Sequence, residues 1–173
     1  MRPSARDRRP SAAAGRTAVP RQRSAAVRPR AGHFGAAHGL DCAVDSAGNV
    51  RLRQKASAGF EKATAIVVQS HMDVVCSKSN DKVHDFAKDC VTPIVEGNVL
   101  RADRTTLGAD DGIGVAAAMA LFEETDPEFV HGPLEAVFTV DEETTMGGAL
   151  KRNHGPVICF ATAVSLFWLT ILP

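Results

Sequence analysis

The sequence predicts an α/β fold, and three stretches carry that expectation. Ala65-Ile66-Val67-Val68-Gln69 is a short apolar, β-branched run that reads as a buried strand. Gly112 to Thr125 has the Ala, Met and Leu content of a helix. Leu134 to Val140 alternates so that Leu134, Ala136, Phe138 and Val140 share one face, the signature of a second strand.

Acidic and histidine residues punctuate the ends of these elements. Gln69-Ser70-His71-Met72-Asp73 follows the first strand, Leu107-Gly108-Ala109-Asp110-Asp111-Gly112 leads into the helix, and Asp141-Glu142-Glu143 begins the turn after the second strand. Open α/β sheets collect ligand-binding residues at such ends, and carboxylates at a helix N-terminus are favoured by its dipole. Neutral imidazole and carboxylates are good ligands for zinc and similar divalent ions. A His-x-Asp spacing lets the aspartate hold the imidazole in one tautomer while the other ring nitrogen faces a metal. A carboxylate such as Asp110 is able to bridge two ions, and ions roughly 3.5 to 4 Å apart are a recurrent hydrolytic device. Adjacent glutamates allow one to bind metal and the other to take a proton from water.

At these clusters the chain resembles the co-catalytic zinc exopeptidases, the family of aminoacyl-histidine dipeptidase, peptidase T and the succinyl-diaminopimelate desuccinylases. Asn80-Asp81-Lys82-Val83-His84-Asp85-Phe86, Thr105-Thr106-Leu107-Gly108-Ala109-Asp110 and Val130-His131-Gly132-Pro133-Leu134-Glu135 are similar to the aminoacyl-histidine (cytosolic non-specific or Xaa-His) dipeptidase branch. The resemblance runs from about Ala37 to Leu150. It implies part of a three-layer sandwich with a mixed sheet. It also implies that His71, Asp110 and Glu143 are metal ligands, with Asp110 bridging and a cis peptide between Asp110 and Asp111. Asp73 would orient His71, and Glu142 would be the general base. Zinc is the implied cofactor, two ions in the family, with manganese or cobalt as substitutes. The implied substrate is a small, unblocked peptide with histidine or another residue at its C-terminal position.

The family pattern asks for two further ligands, an aspartate well beyond the glutamate pair and a distant histidine. After Glu143 the chain has no acidic residue, and its one histidine there is His154. The family's smaller lid and dimerisation domain also has no counterpart, so the homodimer of the family is not expected of these 173 residues. The expectation is therefore three segments: an Arg-rich tail over 1–32, the N-terminal part of a metallopeptidase catalytic domain over 33–150, and an apolar tail over 151–173. A related acyl hydrolase, such as a deacylase or carboxypeptidase, and a non-catalytic fragment are the alternative functions.

Charge separates the first segment from the rest. Residues 1–30 carry nine Arg, no Lys and one acid, for +8, whereas residues 31–173 sum to −8. A stretch with so few large apolar residues buries too little surface to fold and is expected to be disordered. An organelle transit peptide, a nucleic-acid-binding arm and an artefact of gene assignment compete for it. No aromatic side chain interleaves the arginines to stack bases, so nucleic acid is not an expected partner. Val157 to Leu172 has no charge, but at sixteen residues it is shorter than the roughly 20 that a membrane span requires, so membrane insertion is not expected. Read-through into unrelated sequence is the preferred account of that tail, with a tail-anchor as the alternative, and exposed it would favour aggregation. Cys42, Cys76, Cys90 and Cys159 show no Cys-x-x-Cys spacing and read as reduced thiols in a cytoplasmic protein, with organelle targeting through the Arg-rich segment as the alternative. Gly108, Gly112 and Gly114 lack dinucleotide-loop spacing. His84 and His131 read as structural, and His33, His38 and His154 as surface residues.

Overall fold

A computed structural model describes residues 31–151 together with the strand Ala161–Thr162. The Arg-rich stretch 1–30 and most of the apolar tail lie outside the described residues.

Residues 31–37 are helical (α1). There follow β1 (Asp41–Val44), β2 (Val50–Gln54), β3 (Ile66–His71), β4 (Pro93–Glu96), β5 (Val99–Ala102), α2 (Ala109–Phe122), β6 (Leu134–Thr139), the short helices α3 (Glu142–Thr145) and α4 (Gly147–Leu150), and β7 (Ala161–Thr162). The main sheet has the order β1-β2-β6-β3-β7. β3 is parallel to β6 and to β7, whereas β2 is antiparallel to β6 and to β1, so the sheet is mixed as expected. β4 and β5 form a separate antiparallel hairpin.

The alternation along β6 decides which side chains enter the core. Leu134, Ala136, Phe138 and Val140 join Val50 and Leu52 from β2, Ala31 from α1 and Ala118 and Phe122 from α2 in one buried cluster. Val67, Val137 and Thr139 on the opposite face are buried too, as a strand inside a layered α/β fold requires. Phe138 and Leu52 are fully buried, and their removal from water is the kind of term that holds such a sheet together.

The first strand runs slightly further than its apolar run, through Ser70 to His71, because pairing with β6 continues to His71 opposite Thr139. Regular helix in α2 begins only after Asp111, since Asp110 and Asp111 have non-helical backbone angles. The helix stops at Phe122 rather than Thr125. Glu124 accepts the N–H groups of Thr125 and Asp126 instead, and acids at a helix C-terminus oppose its dipole.

Candidate metal centre

Three loops meet at the C-terminal ends of the parallel strands β3 and β6. The parallel register sets His71 beside Thr139, so the segment after β6 starts next to the histidine. α2 packs against β3 and brings its first turn to the same place.

Asp111 makes that last junction. Its carboxylate, 1% exposed, accepts the backbone N–H of His71 at 3.2 Å and of Gly114 at 3.1 Å. Burial raises its pKa. Gly114 has to be glycine, because a Cβ there would overlap the Asp111 carboxylate. The Asp110–Asp111 peptide is cis, as the resemblance implied.

His71 is buried and held from both sides. Its Nδ1 lies 2.9 Å from the backbone carbonyl of Asp73 and 3.6 Å from the Asp73 carboxylate. Its Nε2 faces Asp110 Oδ1 at 3.1 Å and Glu142 Oε2 at 3.8 Å. Burial opposes charge on the ring, but the hydrogen bonds to Asp73 and Asp110 and the negative Glu142 outweigh it, and its pKa is raised to about 9.

Asp73 does more than the His-x-Asp spacing implied. Its two carboxylate oxygens accept the N–H groups of Glu142 and Glu143 at 3.1 and 3.0 Å, so it ties the glutamate turn to the end of β3. Burial works against its charge, yet the bonds from His71, Glu143 and Glu142 hold its pKa below the usual value. Glu143 moves the other way. Burial and the negative Asp110 push its carboxyl above the usual range, with Glu142 and Asp73 adding to the effect.

The turn itself is conformationally costly. Asp141 and Met146, which bracket α3, both have left-handed backbones, with φ of 58° and 54°. Such non-glycine conformations cost on the order of 1–3 kcal/mol each and persist only where the surroundings over-determine them.

His71, Glu142 and Glu143 each offer a ligand atom, and these atoms lie within 4.8 Å of one another. Asp110, whose side chain is largely exposed, stands outside that tight triple but touches the free nitrogen of His71. The sequence-expected residues His71, Asp73, Asp110, Glu142 and Glu143 are therefore all brought together. His84 and His131 do not enter the cluster; His131 Nδ1 instead lies 2.6 Å from the Gly132 carbonyl. Asp111 was missed as a site-building residue, its only signal being adjacency to Asp110. An open groove of about 1010 Å³ lined by His38, Arg53, Lys55, Glu61 and Pro133 includes none of these residues.

One imidazole nitrogen free of the backbone, facing several clustered carboxylates, is a donor set suited to a divalent cation. The elevated Glu143 carboxyl points the same way, since like charges this close are relieved by a cation.

The mixed α/β fold is similar to that of solved di- and tripeptidases. The crystal structure of aminoacylhistidine dipeptidase from Vibrio alginolyticus superposes with a TM-score of 0.70 at 35% identity, covering 77% of this chain and 27% of that one. A tripeptidase from Staphylococcus aureus subsp. aureus Mu50 gives 0.62 at 26% identity, covering 76% of this chain and 35% of that one. In sequence, the chain is a homologue of cytosol non-specific dipeptidase of Escherichia coli (strain K12), 48% identical over 105 residues. That match takes in 61% of this chain and 21% of the relative, so the chain spans about a fifth of the curated protein's length. No family model matches the chain.

Proposed function

We propose that the described residues form the N-terminal part of a metal-dependent peptidase catalytic domain whose reaction is hydrolysis of a short, unblocked peptide. The observation that carries this reading is the convergence of His71, Glu142 and Glu143 ligand atoms within 4.8 Å, with Asp110 against the same imidazole nitrogen. His71, Asp110 and Glu143 would hold the ion, of which zinc is the first candidate. A bound divalent ion would supply Lewis-acid polarisation of the scissile carbonyl.

The chain's own residues do the rest. The Asp73 carbonyl fixes the imidazole tautomer, leaving Nε2 as the outward-facing nitrogen. Glu142, part-exposed at the mouth of the cluster, is placed to take a proton from an attacking water and return it to the leaving amine. Asp73 holds the backbone of Glu142 and Glu143 in place by accepting their adjacent N–H groups. Names of the relatives, dipeptidase and tripeptidase, support a short peptide as substrate and, for the first relative, a cytosolic setting.

The test is a cobalt(II) titration of the whole chain followed by visible absorption. His71→Ala and Glu143→Gln are expected to weaken binding at least tenfold, and Glu142→Gln to leave it within a few-fold. Equal binding by wild type and His71→Ala would remove the metal centre from this reading.

A further inference from the structure

We propose that Asn49 is a positioning residue for the Glu142–Glu143 turn, holding it from the side opposite Asp73; this rests on reading the turn as part of the peptidase site. Asn49 immediately precedes β2 and is 1% exposed, and its side-chain hydrogen bonds go to Asp45, Val140 and Gly148. Its side-chain amide spans the base of the turn. Oδ1 accepts the Val140 N–H at 3.1 Å, and Nδ2 donates to the Gly148 carbonyl at 2.9 Å. Val140 and Gly148 are the two residues that bracket the segment 141–147, and the Gly148 N–H closes the same ring by donating to the Val140 carbonyl at 3.0 Å.

The amide is itself held in place. The second Nδ2 hydrogen goes to Asp45 Oδ2 at 2.8 Å, while Asp45 Oδ1 accepts the N–H groups of Ala47, Gly48 and Asn49. Gly148 accommodates the clamp because a Cβ there would stand 2.5 Å from Asn49 Oδ1 and would overlap the Val140 carbonyl. The job requires a donor and an acceptor on one short side chain, which aspartate and leucine do not provide. Asn49 and Asp73 thus grip the turn at its base and at its glutamates. This accounts for how the left-handed Asp141 and Met146 persist at the two ends of α3.

Two measurements on the whole 173-residue chain test this. The first is amide hydrogen exchange of the metal-free protein. In Asn49→Ala the Val140 amide speeds up directly, and positioning requires that the Glu142 and Glu143 amides, bonded to Asp73, speed up at least tenfold as well, relative to Val68 in β3. Leu52→Ala, equally buried on β2, is expected to lower Tm as much or more while leaving those two rates unchanged relative to Val68. Faster exchange at Val140 alone would overturn the proposal. In wild type under mild urea, which needs no variant, Val140, Glu142 and Glu143 are expected to open as one unit. Opening of the glutamates ahead of Val140 would also overturn it. The second measurement is cobalt(II) affinity, expected to fall about tenfold or more in Asn49→Ala and to stay within twofold in Leu52→Ala. A wild-type chain that takes up no cobalt would sink the metal-centre reading, while the exchange results still decide whether Asn49 positions the turn.

Discussion

Replacing Asp73 by Asn tests what the carboxylate holds, because the change keeps the size of the side chain and removes only its charge and one acceptor. In the wild type both carboxylate oxygens accept main-chain N–H groups, those of Glu142 at 3.1 Å and Glu143 at 3.0 Å, and the residue is 4% exposed. An amide retains one acceptor and turns a donor toward the other N–H. One charge-assisted hydrogen bond is lost, the carboxylate's attraction for the protonated His71 ring goes with it, and a buried donor is left facing a donor, for a combined cost of about 2–4 kcal/mol. Urea unfolding of the metal-free chain at pH 7 measures this, and the midpoint is expected to drop by roughly 1 M or more. The pH dependence gives a second handle. The folded pKa of Asp73 lies below its ordinary 3.8, so its stabilisation is present above 3.8 and is lost as pH falls through the lower folded value. The difference between wild type and Asp73→Asn is therefore expected to shrink in acid below pH 3.8. A loss under about 0.5 kcal/mol at pH 7, well short of one charge-assisted bond, would refute the assignment of those two bonds.

Because the folded His71 holds its proton up to about pH 9, metal uptake at pH 7.5 is expected to release a proton, with affinity rising as pH approaches that value; calorimetry in two buffers of different ionisation enthalpy checks it, and identical apparent heats would contradict it. Phe138→Ala empties the centre of the sheet, where the ring is 0% exposed, and is expected to destabilise by about 3–5 kcal/mol in thermal or urea unfolding. Gly114→Ala drives a methyl into the Asp111 carboxylate and is expected to loosen the α2 start from β3, seen as faster exchange of the His71 amide. The 173 residues by themselves are expected to hydrolyse unblocked dipeptides negligibly with added zinc, manganese or cobalt, because a dinuclear hydrolytic site needs both ions held in place and the described residues offer a single ligand cluster; metal-dependent turnover that Glu142→Gln abolishes would overturn that expectation.

Much of the candidate site was legible along the chain, its groups through local patterns and their expected roles as ligand or base through the family resemblance. An apolar β-branched run ending in His71-x-Asp73, an acidic pair ahead of an Ala-rich helix and a strand running into Glu142-Glu143 are each readable within a dozen residues. The period-two alternation of Leu134, Ala136, Phe138 and Val140 likewise named the face that the core uses, since a one-residue slip would turn all four to the other side. Less was read from the hairpins β1–β2 and β4–β5, although Gly97-Asn98 stands as a two-residue turn between β4 and β5, with Glu96 paired to Val99.

Residue type and order along the chain determined which acidic and imidazole groups stand at the strand and helix ends, because ionisation and side-chain period are properties of short stretches, while the roles expected of them came from the family resemblance. Tertiary structure alone decided how those groups are held. Asp73 meets Glu142 and Glu143 across 69 and 70 residues, Asp111 meets His71 across 40, and Asn49 meets Gly148 across 99. A hydrogen bond's partner is set by where sheet register and helix packing bring two distant backbones within about 3 Å, and that distance is written in no local pattern.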